Sequence, residues 1–99
     1  MELSTAQSGV YTLTLDEKFD FNHVGTFRTT YEKIDPKGLS KIIINFRNTR
    51  YMDSSALGML LNLHNTLGGG SVRIELSGAN EKISKILKIS RFDTKFTIN

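Results

Sequence analysis

The stretch Ile42-Ile43-Ile44-Asn45-Phe46-Arg47-Asn48-Thr49-Arg50-Tyr51-Met52-Asp53-Ser54-Ser55-Ala56-Leu57 decides the fold. Its first third is a β-branched apolar run ending on Phe46, the pattern of a short central strand covered on both faces. A polar loop, Arg47 to Asp53, follows. From Ser54 or Ser55 the apolar spacing changes from continuous to helical, with Leu57, Leu60, Leu61 and His64 on one face and Ala56, Met59, Leu63 and Leu67 broadening it. A strand, a polar loop and a largely buried helix in that order are half of a βαβ unit. Gly68-Gly69-Gly70 ends the helix, and Val72, Ile74 and Leu76 alternate with Arg73 and Glu75 in the strand that completes the unit.

Upstream, Tyr11, Leu13 and Leu15 alternate with Thr12 and Thr14 in a strand over Val10 to Leu15, which Glu2 to Ala6 pairs through a turn at Ser8-Gly9. Val24, Phe27, Tyr31 and Ile34 then make a helical stripe closed by Asp35-Pro36, with His23 solvated in its opening turn. Downstream, Asn80 caps a helix whose Ile83, Ile86, Leu87 and Ser90 line one side, and Lys95 to Ile98 forms a last short strand. The order is β-β-α-β-α-β-α-β. Strands separated by helices pair in parallel through right-handed crossovers, so the reading is a mixed, mostly parallel α/β sheet with three packed helices, a single domain over residues 1–99.

Composition narrows the function. Apolar residues make up 38% of the 99 positions, enough for a real core, and the net charge of +3 does not by itself call for nucleic acid. There is no Cys, so neither a disulfide framework nor a thiolate metal site or nucleophile is available, and no metal or cofactor is expected. No apolar run is long enough to span a bilayer and Met1-Glu2-Leu3-Ser4 lacks the layout of a signal peptide, so a cytoplasmic location without membrane attachment is expected.

The enzyme motifs fail one by one. Asp53-Ser54-Ser55-Ala56-Leu57-Gly58 lacks the first glycine of the nucleophile elbow. His64 lies about 13.5 Å along the helix from Ser55, out of reach as its base. Gly68 to Gly70 follow a helix and precede a strand, the reverse of a phosphate cradle. Lys82, Lys85, Lys88 and Arg91 fan over half of the last helix, a solvated face or an acidic-partner surface, with nucleic acid a distant third for want of interleaved aromatics.

What remains is the helix start. Asp53 or Ser54 serves as its cap, and a second serine in the first turn suits phosphorylation because a phosphate there would meet free amides and the positive end of the helix dipole.

Tyr51-Met52-Asp53-Ser54-Ser55-Ala56-Leu57-Gly58, following an Ile-rich strand and opening a helix, resembles the phosphorylation loop of STAS-domain anti-sigma factor antagonists, and the element order agrees along nearly the whole chain. Ala56 stands where antagonists commonly have Gly. The resemblance implies phosphorylation on Ser55, with Ser54 the runner-up, by an anti-sigma factor that is also a serine kinase, and reversal by a serine phosphatase. It further implies that Asp20, Asp53, Ser54, Ser55 and Met59 contact that partner, that the unmodified domain displaces whatever the kinase held, and that the antagonist itself is a monomer and not an enzyme. A STAS module that binds partners or a small ligand without phosphorylation is the alternative.

Overall fold

The computed structural model describes residues 1–68 and 72–99. Strands β1 (Glu2–Gln7) and β2 (Val10–Thr14) form an antiparallel hairpin, followed by a two-residue strand β3 (Lys18–Phe19), a 3₁₀ turn over Phe21–His23 and helix α1 (Val24–Tyr31). Strand β4 (Lys41–Asn45), a second two-residue strand β5 (Tyr51–Met52), helix α2 (Ser54–Leu67), strand β6 (Arg73–Ser77), helix α3 (Glu81–Ile89) and strand β7 (Thr97–Ile98) complete the order. The main sheet runs β1-β2-β4-β6-β7, parallel except for the hairpin, so the mixed and mostly parallel α/β sheet with three helices read from the sequence is the observed fold.

Each crossover steps the same way across the sheet. Right-handed connections stepping one way place α1, α2 and α3 on one face. Their inward residues, Phe27, Tyr31, Ala56, Met59, Leu60, Leu63, Ile83 and Leu87, join Leu13, Ile42, Ile44, Ile74 and Leu76 in one core. The opposite face carries the register row Thr12, Ile43, Glu75 and Thr97. Hence β4 is not covered on both faces: Ile42 and Ile44 are fully buried, whereas Ile43 is half-buried beside Glu75, which the Lys41 ammonium holds at 3.0 Å. Continuous β-branching here reflects strand propensity as much as burial.

Helix α2 is also rotated from its expected orientation. Ala56, Met59, Leu60 and Leu63 face the core, while Leu57, Leu61 and His64 lie at its flank, with the His64 ring edge-on to Phe96 at 5.4 Å. The buried His64 Nδ1 has no hydrogen-bond partner among the described residues. Gly68 ends α2, donating its N–H to His64 O at 2.9 Å, in extended backbone that places it too close to His64 for a side chain. Gly69 and Gly70, expected to form the following turn, lie outside the described residues. Helix α1 stops at Tyr31, so Ile34 reaches the core from beyond the helix and Val24, expected on the buried stripe, is left at the surface. At the hairpin, Gly9 takes φ +78°, and a Cβ there would collide with Gly38 O.

Candidate functional site

The site is assembled by the β3/β5 ladder, which periodicity could not reveal because two residues carry no period. Lys18 pairs with Tyr51 and Phe19 with Met52 in parallel register. Two features make that pairing worthwhile. Phe19 is fully buried against Phe27 (5.0 Å) and Phe46 (6.2 Å), and the loop before β5 is stapled to the chain before β3 by Thr49 Oγ1 donating to Asp16 O (2.8 Å) and Arg50 N–H to Glu17 O (2.8 Å). Extending the register by one residue brings Asp20 and Asp53 alongside each other.

Both aspartates are caps. Asp20 Oδ1 accepts from Asn22 N–H (3.1 Å) and lies 2.7 Å from His23 Nδ1, so His23 is tied into the turn and not solvated as the sequence suggested. Asp53 has extended backbone, and its Oδ1 accepts from Ser55 N–H (3.0 Å) and Ala56 N–H (3.3 Å). Its other oxygen accepts from Phe21 N–H at 3.2 Å, which fixes the Asp20 turn against the start of α2. The cap left open between Asp53 and Ser54 is therefore Asp53.

Ser54 and Ser55 occupy the first two positions of α2, Ser54 exposed and Ser55 half-buried, and neither hydroxyl hydrogen-bonds to the described residues. One expectation is corrected here. The amides of Ser55 and Ala56 are not free to receive a phosphate, because the Asp53 carboxylate already holds them. A phosphate on either serine would face that carboxylate and would have to compete with it.

Asp20, Asp53, Ser54 and Ser55 thus come together. Met59 does not join them at the surface: one turn into α2 and 4% exposed, it contributes an edge to the floor of a groove of about 270 Å³ between α1 and α2, with Val24, Phe27, Arg28 and Asn62 along its walls. Sequence reading passed over Phe21, 70% exposed beside Asp53, and gave Tyr51, 51% exposed, no role of its own. With Val24 they are three of the four large apolar side chains exposed among the described residues: Phe21 is hydrogen-bonded through its amide to Asp53, Tyr51 stands two residues before Asp53, and Val24 lines the groove between α1 and α2. Only the fold could show this, since Phe21 and Tyr51 stand in largely polar stretches and Val24 sits in a helical stripe that in isolation reads as core. The described residues hold no cluster of His, Cys, Asp and Glu suited to a metal ion.

A mixed sheet backed by three helices on one face, with a serine pair at the start of the helix after the central strand, defines the class. The STAS domain family model matches residues 4–99, and the chain belongs to that family. A STAS-domain-containing protein of Pseudomonas aeruginosa (strain UCBPP-PA14) is 37% identical over 99 residues, covering 98% of this chain and 95% of its own. Among solved structures, the Bacillus cell fate determinant SpoIIAA in its phosphorylated form superposes with a TM-score of 0.74 at 21% identity, covering 99% of this chain and 89% of that one. A sulfate transporter family protein from Wolinella succinogenes gives 0.75 at 15% identity, covering 92% and 74%. The fold is therefore shared by SpoIIAA, an anti-sigma factor antagonist, and a sulfate transporter family protein. No helix among the described residues is long and apolar enough to cross a membrane.

Proposed function

We propose that this STAS domain is a phosphorylation-controlled partner-switching regulator, which binds an anti-sigma-factor-like serine kinase when Ser55 is unmodified and leaves it when Ser55 is phosphorylated. One observation carries the reading: Asp53 caps α2, so the Ser54 and Ser55 hydroxyls are left without a hydrogen-bond partner among the described residues, next to an Asp53 whose neighbours Phe21 and Tyr51 are exposed. Exposed aromatics grouped around a polar centre suit a protein partner, since such side chains dominate interface energetics. That a solved relative, SpoIIAA, exists in phosphorylated and unphosphorylated forms supports the same chemistry here.

The switch is electrostatic. A phosphoserine carries about −1.5 to −2 charges near neutral pH, and Asp53 and Asp20 already place two carboxylates around the same helix start. In a desolvated contact, that repulsion costs the complex several kcal/mol, and each ~1.4 kcal/mol is tenfold in affinity. A serine phosphatase resets the domain. Binding in the interior of a cell, without nucleic acid, membrane or cofactor, and with the free domain a monomer, is part of the proposal.

The test is site mapping by phosphopeptide mass spectrometry on protein purified from its own host, with a pull-down using Ser55→Ala and Ser55→Asp as baits. Phosphate on Ser55 and a kinase held by the alanine bait but not the aspartate bait are the expected results. Modification confined to Ser54 moves the switch by one residue, and absence of any phosphoserine with equal capture by both baits refutes it.

A further inference from the structure

A second feature lies at the carboxyl ends of β4 and β6, in no contact required by the serine switch. An open cleft of about 380 Å³ is lined by Arg47, Asn48, Thr49, Arg50 and Asn80. It is built from two loops locked together. Phe46 N–H donates to Ser77 O at 2.7 Å, joining the turn after β4 to the end of β6, and Thr49 N–H closes that turn on Phe46 O at 2.9 Å. Asn45 Oδ1 accepts from Arg47 N–H at 2.9 Å. Opposite, Gly78 takes φ +77°, a conformation that favours glycine, and a Cβ on it would stand 3.1 Å from Asn45 Oδ1 and 3.3 Å from Arg47 N, so glycine eases the close approach of the loop between β6 and α3. The buried Thr49 hydroxyl and the Arg50 amide tie the far side to Asp16 and Glu17.

Arg47 and Arg50 both line this cleft, and no Asp or Glu does. Elsewhere Arg28 lies 3.5 Å from Glu32, and Arg73 lies 3.9 Å from Glu75, but neither Arg47 nor Arg50 has a carboxylate within 4.0 Å among the described residues. Two cations lining one cleft without a carboxylate partner repel each other, and an anion between them relieves that repulsion. Arginine forks match the tetrahedral oxygens of phosphate, and the Asn48 and Asn80 amides supply further neutral donors at the rim. Ligands of α/β sheets characteristically sit at the carboxyl ends of the strands.

We propose that this cleft is a binding site for a small phosphate-bearing anion, held between Arg47 and Arg50. The site goes beyond the serine switch and stands or falls independently of it. Inorganic phosphate and a phosphate monoester share the recognised group, and the experiment separates them.

Uniformly ¹⁵N-labelled protein is titrated with sodium phosphate, and separately with glucose 6-phosphate, sodium chloride keeping the ionic strength constant. The expected result is saturable movement of the amide signals of residues 47–50 and 78–80, with a Kd of about 1 mM or tighter. Tighter binding of the ester assigns the cleft to organic phosphates, and equal or weaker binding assigns it to the free ion. Arg47→Gln combined with Arg50→Gln should weaken binding at least tenfold with an unchanged spectrum elsewhere, because both side chains are exposed. Ser55→Ala should bind as the parent does, which keeps this test apart from the switch. Linear, unsaturated shifts, shifts spread equally over Lys82 to Lys88, or a double variant binding within twofold of the parent would each overturn the assignment.

Discussion

Replacing Asp53 by alanine removes three hydrogen bonds at once: those from Ser55 N–H and Ala56 N–H, which cap α2, and that from Phe21 N–H, which holds the Asp20 turn. Loss of an aspartate cap costs about 1 kcal/mol, within a range of roughly 0.5–2. The Phe21 tie is solvent-accessible and adds about 1 kcal/mol. A total near 2 kcal/mol corresponds to a fall in Tm of about 10 °C for a chain of ~100 residues. Asp53→Asn keeps one acceptor oxygen for the cap but turns an amide toward Phe21 N–H, so about half of the loss, ~1 kcal/mol, is expected. Ser54→Ala and Ser55→Ala remove hydroxyls bonded to nothing described and should stay within about 0.5 kcal/mol of the parent. Urea denaturation of the four variants, compared at constant m, measures all of this. A cost below about 0.5 kcal/mol for Asp53→Ala would refute the capping role. A Ser55→Ala cost equal to or above that of Asp53→Ala would show that Ser55 is a structural residue, and the argument that its hydroxyl is free for modification would fail.

Three further outcomes follow from the same geometry. By calorimetry, Ser55→Asp should bind the partner kinase at least tenfold more weakly than Ser55→Ala, ~1.4 kcal/mol or more, and affinities equal within a factor of two would remove charge as the switch. Phosphorylated protein should melt about 5 °C or less below the unmodified form, since the new charge meets Asp53 instead of free amides, and its amide shifts should be confined to residues 20–24 and 50–60; shifts reaching Arg73–Ser77 or Glu81–Ile89 would mean a global rearrangement. Leu60→Ala, at a fully buried position in the middle of α2, should cost ~2–5 kcal/mol in chemical denaturation, and a cost under ~1 kcal/mol would contradict the orientation of that helix.

Local patterns in the chain were sufficient for the order of the three helices and the strands of the main sheet, though not for β3 and β5, because each helix and long strand spans enough residues to display its period. The alternation in β2, the cap at Asn80 and the turn at Ser8-Gly9 are all where spacing and residue type put them. The serine pair was legible for the same reason: a cap signal before an apolar helical stripe is a local feature. Three things were decided by tertiary structure alone. The sheet buries one face and not two, because crossover direction, a property of the strand order, put every helix on the same side. Asp20 and Asp53 meet because Phe19 sinks into an aromatic cluster from a strand too short to have a pattern, 32 residues separating the backbone donor Phe21 from the carboxylate that holds it. Finally, apolar residues look alike in a sequence whether they face a core or a partner; Phe21, Val24 and Tyr51 are left outside because the positions facing the core are filled by Phe19, Phe27 and Met52, and only the packed interior determines which side chains it has no room for.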